Sequence, residues 1–167
     1  MLSSDKIILR PIEEEDLLFI KKIRNSVYLQ KKVLSIARGE NNEKIKKWFK
    51  SINKGPNIIF IILNKNNKRL GYIQLTQICN ISKNAYLGIV LAREHQGKGI
   101  VSEAISLMLK FSKEVLGLHK IILNVLSENV KAIHCYKKIG FVMVGVLKEN
   151  FFWNHFFLDV LLMEIIL

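Results

Sequence analysis

The stretch from Leu91 to Phe111 constrains the fold of this chain more than any other. It reads LAREHQGKGIVSEAISLMLKF, which is the end of an apolar strand, a break at Gln96-Gly97-Lys98-Gly99, and apolar residues at helical spacing. Glycines let a backbone approach a ligand closely and adopt angles that a Cβ atom forbids. The following helix would direct unpaired N–H groups and the positive end of its dipole toward the turn. The pattern therefore indicates a phosphate-binding turn, to which Lys98 adds a mobile positive charge.

The flanking segments predict a single α+β domain over residues 1–167, with a central mixed, twisted sheet of about seven strands and helices on both faces. Helical patterns occupy about 17–25, 41–52, 100–117 and 130–139, residues 54–57 form a turn, and 27–40 is ambiguous. Segments of strand-like composition lie at 6–12, 58–63, 70–78, 85–92, 120–126, 141–147 and 157–166. Because a helix connects 85–92 to 120–126, those two strands should be parallel neighbours.

The charge balance favours anionic partners. The chain has 26 Lys and Arg against 14 Asp and Glu, a formal net charge of +12. Nucleic acid, a membrane surface or a nucleotide-like ligand would suit that charge, and a solvated basic surface without a specific partner is the alternative. Cys79 and Cys135 provide neither a disulfide framework nor a metal-ligand spacing. The start of the chain lacks an apolar signal segment and its longest apolar run is too short for a bilayer, so we expect a cytoplasmic protein without a membrane partner.

A second informative stretch, Asn129 to Phe141, reads NVKAIHCYKKIGF. Asn129, Ala132 and Tyr136 are separated by three and four residues, so a helix places them on one face. An amide, a small residue and a phenol on that face can bind an extended polar ligand. Taken alone, the stretch is better explained as an ordinary amphipathic helix with a half-buried tyrosine.

Together the two stretches resemble the GNAT superfamily of N-acetyltransferases. That family combines a strand, a glycine turn of the form [QR]-x-x-G-x-[GA] opening a helix, a parallel strand, and then N-x-x-A-x-x-x-Y-x-x-x-G-F. The opening KIILRPIEEEDL and the closing hairpin are similar to the branch that contains spermidine, ribosomal-protein N-terminal and nucleotide-sugar acetyltransferases. The resemblance implies the GNAT fold, with a splayed pair of parallel strands, and N-acetyltransferase activity.

The resemblance also implies acetyl-CoA as the acetyl donor and no metal. Backbone N–H groups of the glycine turn would hold its pyrophosphate, the strand before the turn would pair with the pantetheine arm, and Asn129 would contact that arm. The implied acetyl-CoA contacts are Ile89, Val90, Leu91, Gln96, Gly97, Lys98, Gly99, Ile100, Val101, Asn129, Ala132 and Tyr136.

Tyr136 is the predicted catalytic residue, because by resemblance it faces the thioester sulfur. An acceptor amine must lose its proton to attack, and a strand N–H near Val90 can stabilise the resulting oxyanion. The leaving thiolate, with a thiol-like pKa of about 8.5, can then take a proton from a phenol of pKa about 10. Tyr136 is therefore predicted to be the general acid.

This sequence departs from the family pattern in two places. The first position of the turn motif, usually Gln or Arg, is Glu94, which is expected to point away from the pyrophosphate. Related enzymes often carry a carboxylate on the strand before the turn, whereas residues 85–88 read AYLG here. The general base is thus unassigned. His95 and Glu103 are candidates by proximity in sequence, and a water chain or an already neutral amine would need neither.

The acceptor is predicted from weaker signals. The residues Ile23 to Ser26 followed by Trp48-Phe49 resemble enzymes that acetylate amino sugars on nucleotide carriers, with Arg24 and Asn25 as acceptor contacts. A surface salt bridge from Arg24 to the acids at 13–16 is the alternative role for that residue. A nucleotide-linked amino sugar is the expected acceptor, and a protein N-terminus or a polyamine is the alternative.

Two further expectations concern partners. The aromatic residues of the closing hairpin are expected to form its core, with a subunit interface or an acceptor-site wall as the alternative; they are Phe151, Phe152, Trp153, Phe156 and Phe157. A monomer or homodimer is expected. A non-enzymatic nucleic-acid-binding domain would explain the charge but not the Asn129–Tyr136 face, so nucleic acid is not the expected partner.

Overall fold

A mixed β-sheet forms the centre of the fold. The computed structural model describes residues 1–35, 37, 39–52 and 55–167. Its strands are β1 (Leu2–Ser3), β2 (Ile7–Pro11), β3 (Ile58–Asn64), β4 (Arg69–Cys79), β5 (Asn84–Leu91), β6 (Lys120–Leu126), β7 (Val142–Trp153) and β8 (Phe156–Ile166). They lie side by side in the order β1-β2-β3-β4-β5-β6-β8-β7. The predicted strands are all present, and the two-residue β1 makes the described sheet eight-stranded rather than seven-stranded.

Five α-helices connect the strands within the described residues. They are α1 (Leu17–Arg24), α2 (Val27–Lys32), α3 (Asn42–Ile52), α4 (Ile100–Glu114) and α5 (Val130–Ile139). Helix α2 occupies the start of the ambiguous segment 27–40, where Ser26 caps it by accepting a hydrogen bond from the Leu29 N–H at 3.4 Å. The predicted turn at 54–57 lies partly outside the described residues. Over the described ranges, no helix combines the length and the apolar character that crossing a bilayer requires.

The helices pack on both faces of the sheet because strand side chains alternate in direction. On β3, Ile62 packs with the apolar stripe of α4 and with Phe141, while its neighbour Ile61 packs with α1 and with Ile45 of α3. Helix α5 covers the α4 face, where Ala132 and Tyr136 contact the core. The predicted helices on both faces are therefore confirmed, and the sheet separates two apolar clusters.

The parallel strands β5 and β6 separate at mid-length. Their residues pair from Asn84 with Lys120 to Tyr86 with Ile122, and the pairing ends there. Strand β5 continues to Leu91 while paired on its other side with β4. The backbone of residues 87–91 thus borders a gap between two parallel strands, which confirms the predicted splay.

A buried carboxylate joins the start of α1 to the sheet. Asp16 is fully buried and accepts hydrogen bonds from Arg10 at 2.7 and 3.1 Å, from Arg69 at 2.7 Å and from the Glu13 N–H at 2.8 Å. Burial alone would raise the pKa of Asp16, but the hydrogen bonds from Arg10, Glu13 and Arg69 outweigh it and leave the pKa below its usual value. Glu15 and Asp16 thus pair with Arg10 of β2 and Arg69 of β4.

Two predictions differ from the structure. The helix expected over 100–117 ends at Glu114, and Val115 just beyond it is 67% exposed. The aromatic residues of the closing hairpin do not all form a core, since Phe152, Phe156 and Phe157 are 54%, 70% and 63% exposed. Strand β7 is the edge strand of the sheet and β8 is its neighbour, and these three aromatic side chains of the hairpin are left largely open to solvent.

Candidate active site

The glycine turn has the geometry that its sequence predicts. Gly97 and Gly99 adopt φ angles of 78° and 76°, in the left-handed region that favours glycine. Gly99 is the N-cap residue of α4, so the first N–H groups of that helix follow the turn directly. The side chain of Gln96 braces the turn by donating to the Leu91 carbonyl at 3.2 Å. The turn therefore offers backbone donors at the positive end of a helix dipole.

A cleft of about 470 Å³ runs from this turn along β5 to α5, and we call it the donor cleft. Its lining includes every predicted acetyl-CoA contact except one: Ile89, Val90, Leu91, Gln96, Gly97, Gly99, Ile100, Val101, Asn129, Ala132 and Tyr136. The exception is Lys98, which lines a different cavity together with His95. Mostly apolar walls along the strand gap and a donor-rich turn at one end suit a ligand with a long arm and a phosphate group.

A second cleft of about 300 Å³ adjoins the donor cleft, and we call it the acceptor cleft. The two clefts share Lys32, Val33, Ile89, Val90 and Tyr136. The acceptor cleft adds Arg24 from α1, Gln74 and Thr76 from β4, and Asn124 from β6. Two ligands that enter from the two clefts would meet at the Tyr136 side chain.

Tyr136 lies on α5, where the 3.6-residue period turns it toward the strand gap. Its ring centre is 6.0 Å from that of Phe141. Although the residue keeps some exposed surface, desolvation of its phenol, with a smaller effect of Cys135, raises its pKa to about 12. The phenol consequently carries its proton throughout the physiological pH range and is available as a proton donor.

Neither sequence-based candidate for the general base lines a cleft. His95 is buried beside the cavity that Lys98 lines, and Glu103 lies on α4 away from both clefts. Among the described residues, no Asp or Glu side chain lines the donor or acceptor cleft. This agrees with the absence of an acid at residues 85–88 and favours an acceptor amine that loses its proton to water.

Of the two predicted acceptor contacts, Arg24 lines the acceptor cleft and Asn25 does not. The Arg24 Nη2 atom donates to Glu40 Oε1 at 3.0 Å. Asn25 exchanges two hydrogen bonds with the Glu40 backbone, at 2.9 and 2.6 Å. The expected alternative, a salt bridge from Arg24 to the acids at 13–16, is wrong, because those acids pair with Arg10 and Arg69 instead.

Several residues that line the clefts were not predicted from the sequence to be part of the site. Lys32 lies in the ambiguous segment 27–40, and only the structure places its α2 helix at the junction of the clefts. Gln74 and Thr76 alternate with apolar residues in the middle of β4, a signal that could have identified them. Across the described ranges there is no cluster of three His, Cys, Asp or Glu side chains able to hold a metal ion.

Comparison with known proteins agrees with this geometry. Residues 6–142 match the family described as "Acetyltransferase (GNAT) domain". A spermidine N(1)-acetyltransferase of Vibrio cholerae is 33% identical over 163 residues, covering 98% of this chain and 94% of that protein. The Escherichia coli spermidine N(1)-acetyltransferase is 30% identical over 92% of this chain and 82% of its own length. An Escherichia coli ribosomal-protein-serine acetyltransferase is 27% identical over 58% of this chain.

Solved structures extend the similarity to the whole fold. A crystal structure of the Vibrio cholerae spermidine N-acetyltransferase with CoA and spermine has a TM-score of 0.93 at 32% identity, covering 98% of this chain and 96% of that one. Another structure of this Vibrio cholerae enzyme, in complex with manganese ions, has a TM-score of 0.84 at 34% identity, covering 96% and 92% of the two chains. Fold, cleft and sequence therefore agree that this chain belongs to the GNAT family of acetyltransferases.

Proposed function

We propose that this acetyltransferase transfers the acetyl group of acetyl-CoA to a primary amine of an aliphatic polyamine. The observation that carries the transfer reaction is the position of Tyr136, which lines both the donor and the acceptor cleft. The polyamine comes from the similarity to spermidine N-acetyltransferases, which extends over 98% of the chain. This acceptor replaces the nucleotide-linked amino sugar as the first candidate.

The cleft residues support a direct transfer. The neutral amine attacks the thioester carbon, and a backbone N–H of β5 near Val90 stabilises the oxyanion. When the C–S bond breaks, the phenol of Tyr136 donates its proton to the leaving sulfur. The acceptor nitrogen then gives up the proton that restores the phenol. Because the pKa of Tyr136 is raised to about 12, donation to the sulfur is favourable only in concert with these other transfers.

The charged side chains at the acceptor cleft would affect how a polycationic substrate binds and ionises. The carboxylate of Glu40 lies 3.0 Å from Arg24 Nη2 and neutralises that guanidinium. Lys32 remains as a cation at the junction of the clefts. A positive charge close to the acceptor nitrogen lowers the pKa of a bound ammonium group and so favours the neutral, nucleophilic amine. This effect would partly replace the general base that the clefts lack.

A second candidate acceptor is an amine on an anionic carrier, such as a nucleotide-linked amino sugar. The observation in its favour is the lining of the acceptor cleft, which includes Arg24 and Lys32 but no carboxylate among the described residues. Guanidinium and ammonium groups are the side chains that recognise phosphate and sugar oxygens. A protein N-terminus is a further acceptor to test, since a ribosomal-protein acetyltransferase is among the relatives.

The decisive experiment measures thiol release from acetyl-CoA with a panel of acceptors at equal concentration: spermidine, a nucleoside-diphosphate amino sugar and a peptide with a free N-terminus. The polyamine proposal predicts the highest kcat/KM with spermidine. A higher value with the amino sugar would transfer the assignment to the second candidate. Thiol release no faster than in the absence of any acceptor, for every member, would contradict all three acceptors.

A further inference from the structure

A cavity of about 390 Å³ lies beside the glycine turn and is separate from the transfer site. It is formed where the start of β2, the end of β3 and the start of β4 meet the turn before α4. Among the residues that the structure describes, it shares only Ile100 with the donor cleft and none with the acceptor cleft. Its occupant would therefore not compete directly for the space of the acetyl group or of the acceptor.

The polar group buried at this cavity is the imidazole of His95. The residue is 7% exposed, and its Nε2 atom is buried without a hydrogen-bond partner among the described residues. The nearest carboxylate oxygen, Glu94 Oε1, is 3.9 Å from Nε2, which is beyond hydrogen-bonding distance. A buried nitrogen without a partner costs free energy, which a ligand that completes its hydrogen bonding would recover.

The remaining polar lining groups are hydrogen-bond donors. Lys6, Lys68 and Lys98 line the cavity with exposed ammonium groups. Asn64 uses its Oδ1 atom to accept from the backbone N–H groups of residues 66 and 68, at 3.0 and 2.8 Å. Its NH₂ group is therefore the part of the side chain left to serve a ligand. No carboxylate lines the cavity in the described part of the chain.

Three neighbouring charged side chains change the pKa of the His95 imidazole. Burial lowers the pKa of His95, and the nearby Lys68 and Lys98 lower it further, while Glu94 acts in the opposite sense. The imidazole is thus neutral at neutral pH in the ligand-free protein. Three ammonium groups outnumber the single adjacent carboxylate of Glu94, whose side chain is 63% exposed.

We propose that this cavity binds the phosphate group of a small molecule, held by Lys6, Lys68, Lys98 and the His95 imidazole. Phosphate oxygens accept several hydrogen bonds at once, which matches a lining made of donors. The site is additional to the transfer reaction and does not depend on which amine is acetylated. Because Lys98 belongs to the turn that borders the donor cleft, phosphate bound in this cavity would also change the affinity of the protein for acetyl-CoA.

Inorganic phosphate is the probe, added to the full-length protein while the His95 imidazole resonances are followed by NMR. A saturable shift of these resonances is expected. Lys68→Ala should weaken phosphate binding by about fivefold or more, through the loss of one charge-assisted contact. Lys65→Ala removes an exposed lysine from the same β3–β4 turn outside the cavity and should leave the affinity unchanged. The absence of a saturable shift, or equal weakening in both variants, would overturn the proposal.

A second set of titrations identifies the source of the phosphate. Phosphate that still shifts His95 in CoA-saturated protein indicates a separate phosphorylated molecule. If CoA itself occupies the site and 3′-dephospho-CoA does not, the cavity belongs to cofactor binding, and the proposal of a separate phosphate site is overturned. Neither readout requires acetyl transfer, so the acceptor proposal can fail independently.

Discussion

Arg24 Nη2 donates to Glu40 Oε1 at 3.0 Å, and its guanidinium carbon lies 4.9 Å from the centre of the Trp48 ring. The pair joins α1 to the segment before α3 and places a neutralised cation at the wall of the acceptor cleft. The free charge of this wall is therefore set by Glu40, a residue that does not itself line the cleft. The preference of the enzyme for acceptors of a given charge should therefore depend on this pairing more than on the net charge of the chain.

Glu40→Gln is expected to raise the KM for spermidine by about fivefold, because it leaves the charge of Arg24 uncompensated near a polycation. The KM for acetyl-CoA should not change. Steady-state kinetics with each substrate varied in turn measures both values. Glu43→Gln, which removes an exposed carboxylate from the neighbouring helix α3, is the control and should behave like the wild type. A lower KM for spermidine in Glu40→Gln would contradict a polyamine acceptor.

Tyr136→Phe is expected to lower kcat by about 100-fold, the lower end of the usual contribution of general acid catalysis. The variant keeps the ring that packs near Phe141, so acetyl-CoA binding measured by calorimetry should stay close to the wild-type value. Ser82→Ala removes a hydroxyl group from the exposed β4–β5 turn, outside both clefts, and serves as the control. Unchanged turnover in Tyr136→Phe would remove the proposed role.

Gly71→Ala should be strongly destabilising, because a Cβ atom at this position would lie 2.1 Å from the Val90 carbonyl oxygen. Strands β4 and β5 would have to separate beside the donor cleft, at a cost of about 3 kcal/mol, the upper part of the range for overpacking. Urea unfolding measures this loss. Gly88→Ala is the matched comparison, since its Cβ would meet only the movable side chain of Gln74, at 3.1 Å, and should cost much less.

Asp16→Asn should lower the free energy of unfolding by about 3–5 kcal/mol, because it leaves Arg10 and Arg69 without their buried counter-charge. Asp159→Asn breaks an exposed pair with Lys148 and should cause a much smaller loss. Chemical unfolding of both variants beside the wild type gives the comparison. Equal losses in the two variants would contradict the structural importance of the buried pair.

The pKa of Asp16 also predicts how stability depends on pH. Because the pKa is lower in the folded protein than in the unfolded chain, the stabilisation is complete above the unfolded value of about 3.9. It is lost as the pH falls through the lower, folded pKa. Wild-type stability should therefore decrease below about pH 4, and Asp16→Asn should lack that part of the decrease.

Local patterns in the sequence predicted the elements that build the donor cleft. Two glycines at positive φ, a helical stripe after them and the Asn129, Ala132 and Tyr136 spacing each specify a backbone conformation within one or two turns. The strand–helix–strand order then specified parallel neighbours, since a right-handed crossover allows little else. These inferences needed only residues close in sequence, and the structure agrees with them.

The tertiary structure decided which groups meet across long separations. Lys98 lines the cavity that Lys68 and His95 also line, a grouping of residues that the sequence did not predict. Arg24 pairs with Glu40 rather than with the nearer acids, because Arg10 and Arg69 already hold Asp16. Phe152 is exposed because β7 lies at the sheet edge. A sequence gives the local backbone preference of each residue, but the partner of a long charged side chain and the cover over a strand depend on packing between distant elements.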